Sequence, residues 1–329
     1  MERAEELHKS LIVIDGHCDT ALDLAGMSFT DPNMEKRDFF RESDEGHLDL
    51  PKLRKGGVTC QTMAVYTPDE LVERSYEHTI RISNHIDGLY NDDVMPALCG
   101  MDIRTAKREN KTALLKSLEG SDAMGTSLET LKELYDRGFR MSGLTYNRIN
   151  ALGRGCGTPG TSGLTPFGKR VVAEMAKLGM IVDVSHLSDE GLEDLIDITE
   201  RPVVASHSNS REVENHRRNL TDRQLEAIAG TDGLIGLTYP GIFIHSDPAK
   251  VTFERLMEHL DHMLSVVGPR HIGLGSDFDG FTAPYGVCMS SCAETGKITE
   301  HLVGRGWKDN EVAMIMGENW LRIIDEVVG

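Results

Sequence analysis

Residues 11–20 read LIVIDGHCDT. The first five, Leu11, Ile12, Val13, Ile14 and Asp15, are four apolar residues and one carboxylate. Such a run reads as a strand buried on both faces, the kind that parallel sheets use. Gly16 is read as the end of that run. His17 and Asp19 follow two positions apart, and on extended chain such residues point to the same side. An imidazole nitrogen and a carboxylate then converge while Cys18 faces away, which is how a divalent metal such as zinc is held. An isolated H-x-D is more often a core histidine beside a capping aspartate. The position at the C-terminal end of a buried strand, and the partners found further along, favour the metal.

Outward from this stretch, short apolar runs ending in polar residues recur. They occupy 58–66, 112–118 (ending in Glu119-Gly120), 139–145 (Tyr146-Asn147), 180–184 (Ser185-His186), 202–205 (Ser206-His207), 233–239 and 271–276 (Asp277-Phe278-Asp279-Gly280). Helical patterns separate them: a turn at 50–55 broken by Gly56-Gly57, then 68–90, 127–137, 166–178, one capped by Ser188, one opened by Thr221 and Gln224, 251–267, 296–305 and 308–327. A polar loop at 22–47 is long enough to suggest that it covers a site, and 150–165 is an irregular Gly/Ser/Thr-rich excursion. Eight strands alternating with helices predict one (β/α)₈ barrel domain over 1–329. The competing open sheet in its dinucleotide-binding form is disfavoured, because no G-x-G-x-x-G follows the first strand.

The totals agree with a folded chain that has a sizeable core. The chain has 329 residues, 39% hydrophobic and 27% charged, with a net charge of −18. The acidic balance speaks against nucleic acid and anionic membranes as partners. No apolar run reaches the roughly 18 residues of a membrane span, and the polar start MERAEELHKSL does not read as a secretory signal. Cysteines 18, 60, 99, 156, 288 and 292 show no C-x-x-C spacing, so they are expected to be reduced thiols in a cytoplasmic protein. Cys288 and Cys292 have no histidine nearby in sequence and are not read as ligands.

At the strand ends stand His17, Asp19, Glu119, His186, His207 and Asp277. In a barrel all these ends meet on one face, where active sites lie. Six such groups exceed what one tetrahedral zinc takes. Two zinc ions per chain bridged by Glu119 account for them, with Asp277 left to handle the proton. Asp279 competes with Asp277 for that role and is placed second because it lies further from the barrel mouth.

The motifs DGHCD (15–19), SLEG (117–120), DVSH (183–186), ASHS followed eight residues later by RRN (205–219), and GSDFDG (275–280) together resemble the membrane (renal) dipeptidase family, peptidase family M19. The resemblance spans nearly the whole chain. It implies a metal-dependent amidohydrolase with a distorted (β/α)₈ barrel and two zinc ions. By that resemblance His17 and Asp19 bind one zinc, His186 and His207 the other, Glu119 bridges and serves catalysis, Asp277 is the acid/base, and Arg218 receives the substrate carboxylate. The implied reaction is attack of a metal-bridging hydroxide on a small dipeptide, and a homodimer is compatible with it. In the family's animal members a histidine follows the Leu-Thr of the fourth strand, whereas here Leu144-Thr145 is followed by Tyr146. Tyr146 is therefore expected beside the scissile carbonyl as an uncharged donor. The animal proteins' lipid-anchor tail is not seen, so a soluble microbial relative is expected.

Two rivals stand beside this reading: another amidohydrolase acting on a lactone or cyclic amide, which does not need Arg218, and a non-catalytic metal-binding relative. His259 and His262, three apart on a helix outside the barrel, are read as packing, as are His8, His78, His85, His216, His245, His271 and His301. His47 and Tyr66 are expected at the barrel mouth. Arg211 and Arg217 are read as solvated charges.

Overall fold

The computed structural model describes residues 2–27 and 36–329. Residues 28–35, the middle of the polar loop expected to cover the site, lie outside the described residues. The strands are Val13–Cys18 (β1), Val58–Tyr66 (β2), Val94–Pro96 (β3), Thr112–Glu119 (β4), Phe139–Gly143 (β5), Ile181–Asp183 (β6), Val203–Ala205 (β7), Leu234–Leu237 (β8) and Ile272–Leu274 (β9). All pairings between them are parallel. β1 pairs with β2 and β9, β2 with β4, and β4 through β9 pair in succession, so eight strands close into a ring. This is the (β/α)₈ barrel that the sequence predicts. β3 pairs only with the start of β4 and lies outside the ring.

The helices between the ring strands begin where their capping residues stand. Ser127, Thr165, Ser188 and Thr221 each accept a hydrogen bond from a backbone N–H in the first turn, satisfying a donor with no partner inside the helix. Among buried apolar side chains, one cluster joins Ile14, Ala113, Ile181 and Leu234 to Trp320 and Ile324 of helix Asn319–Val327. The strand residues of that cluster sit early in their strands, so this helix closes the N-terminal end of the ring. The C-terminal end is left for the site.

Three sequence expectations need correction. Gly16 does not end β1, which runs on to Cys18. A Cβ on Gly16 would lie 2.0 Å from Trp320 Cζ2, so the glycine is there because the indole covers it. Second, the expected 308–327 helix is two, Asp309–Ala313 and Asn319–Val327, broken at Gly317. A Cβ there would meet the Ile12 carbonyl oxygen at 2.1 Å; the chain gives up helical geometry to let the start of β1 pass. Third, β3 and helix Gly100–Glu109 fall where no element was expected. Three residues are too few to show alternation, and in that helix only Gly100, Ile103 and Ala106 are buried.

Candidate metal centre

The strand ends deliver the expected side chains to one place. His17 is on β1, Glu119 is the last residue of β4, and Asp19, His186, His207 and Asp277 follow the ends of β1, β6, β7 and β9 within three residues. His17 Nε2 lies 3.7 Å from Asp19 Oδ2, 3.7 Å from Glu119 Oε1 and 3.9 Å from Asp277 Oδ1. The same Glu119 oxygen lies 2.9 Å from His186 Nε2 and 3.6 Å from His207 Nε2. Ligand atoms of His17, Glu119 and His207 fall within 4.8 Å of one another, as do those of His17, Asp19 and Asp277. His186 and Asp277 hold left-handed backbone, with φ of 67° and 62°. Such backbone is costly for a residue with a Cβ and gathers at functional sites.

Neighbouring groups orient the imidazoles. The Ser206 hydroxyl donates to Asp183 Oδ2 at 2.5 Å. Its only proton is thereby engaged, so its oxygen accepts from His207 Nδ1 at 2.7 Å. Asn147 Oδ1 accepts from His186 Nδ1 at 2.9 Å. With both Nδ1 atoms protonated, the two Nε2 atoms carry lone pairs, and they face each other at 2.9 Å. Two acceptor nitrogens and a carboxylate oxygen pointing at one spot need a cation between them. Partners that fix the tautomer in this way are what metal-ligating histidines have.

His17 is 1% exposed, and among the described residues neither ring nitrogen has a hydrogen-bond partner; nor has Asp19 Oδ1. Buried polar atoms are normally satisfied, so these orphans fit ligands aimed at an ion. Gly280 completes the fit, because a Cβ there would lie 2.2 Å from Asp19 Oδ2 and 2.3 Å from Asp277 Oδ1. The three imidazoles and three carboxylates are a donor set that suits divalent cations such as zinc.

Charge in the cluster follows from burial and proximity. Burial presses on the His17 imidazole, but Glu119, Asp19 and Asp277 outweigh it and lift it to about 10. Burial raises Glu119 well above its ordinary value, Asp19 and Asp277 adding to the rise and His17 opposing it. Burial likewise takes Asp277 up to about 8, against His17 and with Asp19. His186 and His207 are held well below the usual imidazole value by burial and then by the charges of His17 and Arg218. Without a cation the cluster holds protons where an ion would sit.

A cavity of about 380 Å³ opens onto this cluster, lined among others by Asp19, Glu119, His186, Asp277, Arg218 and Tyr146. Arg218 is 6% exposed. Its Nη2 donates to the His207 carbonyl at 3.1 Å, and among the described residues its Nε has no partner. Tyr146 stacks on His186 at 4.4 Å between ring centres and touches Tyr66 at 4.3 Å. Burial pushes its phenol well above the ordinary value, so the hydroxyl keeps its proton.

Asp279 stands elsewhere. Its carboxylate accepts from Thr20 Oγ1, Arg37 Nη2 and the His47 backbone N–H, each at 2.6 Å. His47 stacks on Phe278 and Phe281 rather than lining the cavity, whereas Tyr66 does line it. His259 and His262 are engaged with the Ile244 carbonyl and Asp222. Cys288 and Cys292 are buried free thiols. Arg211 pairs with Asp189.

The sequence reading missed two cavity-lining residues, His216 and Arg217, and the orienting roles of Asn147, Asp183 and Ser206. Asp183 and Ser206 sit inside the quoted motifs, so their spacing from His186 and His207 could have pointed to them. His216 carries no such signal.

A family model described as membrane dipeptidase (peptidase family M19) matches residues 1–328. Among solved structures, the chain is similar to the dipeptidase AC, a metallo peptidase of family M19. Identity is 26% and the TM-score 0.88, with 97% of this chain and 99% of that one covered. It is 25% identical to a metallo peptidase from Rhodobacter sphaeroides liganded with a phosphinate mimic of the dipeptide L-Ala-D-Ala; the TM-score is 0.87, covering 96% and 99%. An amidohydrolase from Pseudomonas aeruginosa is 26% identical with a TM-score of 0.81, covering 99% of both chains. Among the described residues no helix is long and apolar enough to cross a membrane. With its cluster of histidines and carboxylates at the barrel mouth and a family match from the first residue to the last but one, the chain belongs to the membrane dipeptidase family of metallopeptidases, peptidase family M19.

Proposed function

We propose that this protein hydrolyses small dipeptides with two zinc ions. His17 and Asp19 would hold one ion, His186 and His207 the other, and Glu119 would bridge. The observation that carries the reading is a single Glu119 oxygen within 3.7 Å of His17, His186 and His207, on the floor of a cavity whose wall holds the buried Arg218. When bound, two such ions supply a water acidified towards neutrality and a polarised carbonyl.

The chain's own residues do the rest. Arg218 takes the substrate's terminal carboxylate in its fork and so sets the scissile bond above the cluster. Asp277, at the edge of the cluster and on the cavity wall, would take the proton given up by the attacking water and pass it to the leaving amine. Asp279 is not the carrier in this reading, because its oxygens are taken up by Thr20, Arg37 and His47. The Tyr146 hydroxyl keeps its proton and stands beside the cluster as a donor to the carbonyl oxygen. The cavity is of a size for a ligand of a few residues at most.

Elemental analysis after zinc supplementation, with a panel of L-L and L-D dipeptides, tests this reading. The expectation is about two zinc ions per chain and turnover of dipeptides with a free carboxylate. The similar Rhodobacter enzyme carries an L-D mimic, which is why the L-D half of the panel belongs in the assay. One zinc or none, or no dipeptide turnover, overturns the reading. Glu119→Gln should abolish activity and lose at least one ion, because a neutral amide bridges poorly.

A further inference from the structure

One wall of the cavity is built from three consecutive residues, His216, Arg217 and Arg218. Arg218 is buried and Arg217 is exposed at the rim. Arg217 Nη1 donates to the Gly157 carbonyl at 3.3 Å, across the cavity edge, and among the described residues no carboxylate pairs with it. Arg211, six positions earlier, is held by both oxygens of Asp189 at 2.8 and 3.0 Å. Two neighbouring arginines, neither paired with a carboxylate among the described residues, therefore line one cavity. Phe243 and Phe281 line the cavity with them, and Phe243 carries the Arg218 guanidinium 5.4 Å above its ring. Burial and the two arginines hold His216 down to about 4, so it adds no charge of its own.

We propose that Arg217 is a specificity residue for the side chain of the substrate's C-terminal residue, and that the preferred substrates are dipeptides ending in aspartate or glutamate. The inference rests on the dipeptidase reading, with Arg218 on the main-chain carboxylate. Both arginines line the same cavity, Arg218 buried in its wall and Arg217 exposed at its rim. A substrate residue anchored by its α-carboxylate on Arg218 extends its own side chain along the phenylalanines towards the rim. A second carboxylate there meets Arg217 in a fork that matches its geometry.

The test compares kcat/KM of the zinc-loaded enzyme on Ala-Glu against Ala-Gln and on Ala-Asp against Ala-Asn, in L-L and L-D forms. These pairs differ in charge and barely in size. The acid should be preferred roughly three- to tenfold, the range of a partly exposed charge-assisted contact. That preference should shrink as salt is raised. It should fall to about one in Arg217→Gln, return in part in Arg217→Lys, and reverse in favour of Ala-Lys in Arg217→Glu. An acid-to-amide ratio near one in the native enzyme, or a ratio unchanged in Arg217→Gln, overturns the proposal. Failure of the native enzyme on every dipeptide overturns the dipeptidase reading instead. Good turnover of Ala-Gln without acid preference leaves that reading standing and removes only the role of Arg217.

Discussion

Replacing Arg218 by lysine keeps a positive charge in the cavity and removes the fork. Arg218 is 6% exposed, reaches the His207 carbonyl with Nη2 and, among the described residues, has no partner for Nε. A lysine ammonium is a point-like donor and cannot serve that carbonyl and both oxygens of a carboxylate together. Truncating one side of a buried charge pair costs about 2–5 kcal/mol. Because lysine retains the charge, Arg218→Lys should fall in the lower part, about 2–3 kcal/mol, or roughly 30- to 150-fold in kcat/KM. Bound zinc should be unchanged, since Arg218 touches His207 only at its backbone oxygen. The assay is a cycle of two enzymes and two substrates, a dipeptide and its C-terminal amide. The amide should weaken the native enzyme about as much as the mutation does, and add little in the mutant, because both remove the same contact. Equal turnover of free and amidated dipeptides by the native enzyme refutes the reasoning and favours a hydrolase that needs no carboxylate.

The remaining predictions concern the proton, the ions and the fold. Asp277→Asn should keep both ions and lower turnover by about 10²–10⁴-fold, whereas Asp279→Asn should chiefly lower the melting temperature, since breaking a buried ion pair such as that with Arg37 costs about 3–5 kcal/mol; the reverse pattern would exchange the two roles. In metal-free protein the carboxylates hold His17 protonated up to about 10, and ligation must expel that proton, so zinc uptake at pH 7 should release protons and tighten as pH rises towards 10; calorimetry in buffers of different ionisation enthalpy reads this, and no proton release counts against His17 as a ligand. Gly16→Ala would place a methyl 2.0 Å from Trp320 and should cost about 3 kcal/mol, the upper part of the overpacking range; an unchanged denaturation midpoint would show that the indole moves aside freely.

What was legible in the sequence had local chemistry behind it. The ring strands show as apolar runs because parallel strands are buried on both faces, and the candidate ligands stand at their ends because a barrel collects its loops at one mouth. The elements that escaped owe their form to distant partners. Gly16 looks like a strand terminator until Trp320, more than 300 residues later, is seen to lie on it. Gly317 sits in a sequence that reads as continuous helix, yet its backbone leaves helical geometry where the Ile12 carbonyl passes against it. Asp277 and Asp279 could not be separated by spacing, because both have left-handed backbone and neither follows the alternation of extended chain. His216 and Arg217 look like solvated residues in a polar loop, and their place on the cavity wall comes from how that loop folds back.

The ring closes through β1 and β9, and this sets an order of events during synthesis. Ser276 Oγ donates to the His17 carbonyl across 259 residues of chain, and Asp277 follows directly. At about 5–20 residues per second, the ribosome needs roughly ten to fifty seconds between making the first ligand and making the last carboxylate of the cluster. The floor helix carrying Trp320 emerges later still. Throughout that interval the apolar edge of β1 waits without its second neighbour, and His17 and Asp19 without most of their cluster. The complete cluster therefore forms only once Asp277 has been made, so on the two-ion reading uptake of metal goes with the final closure of the barrel rather than with the folding of its first half.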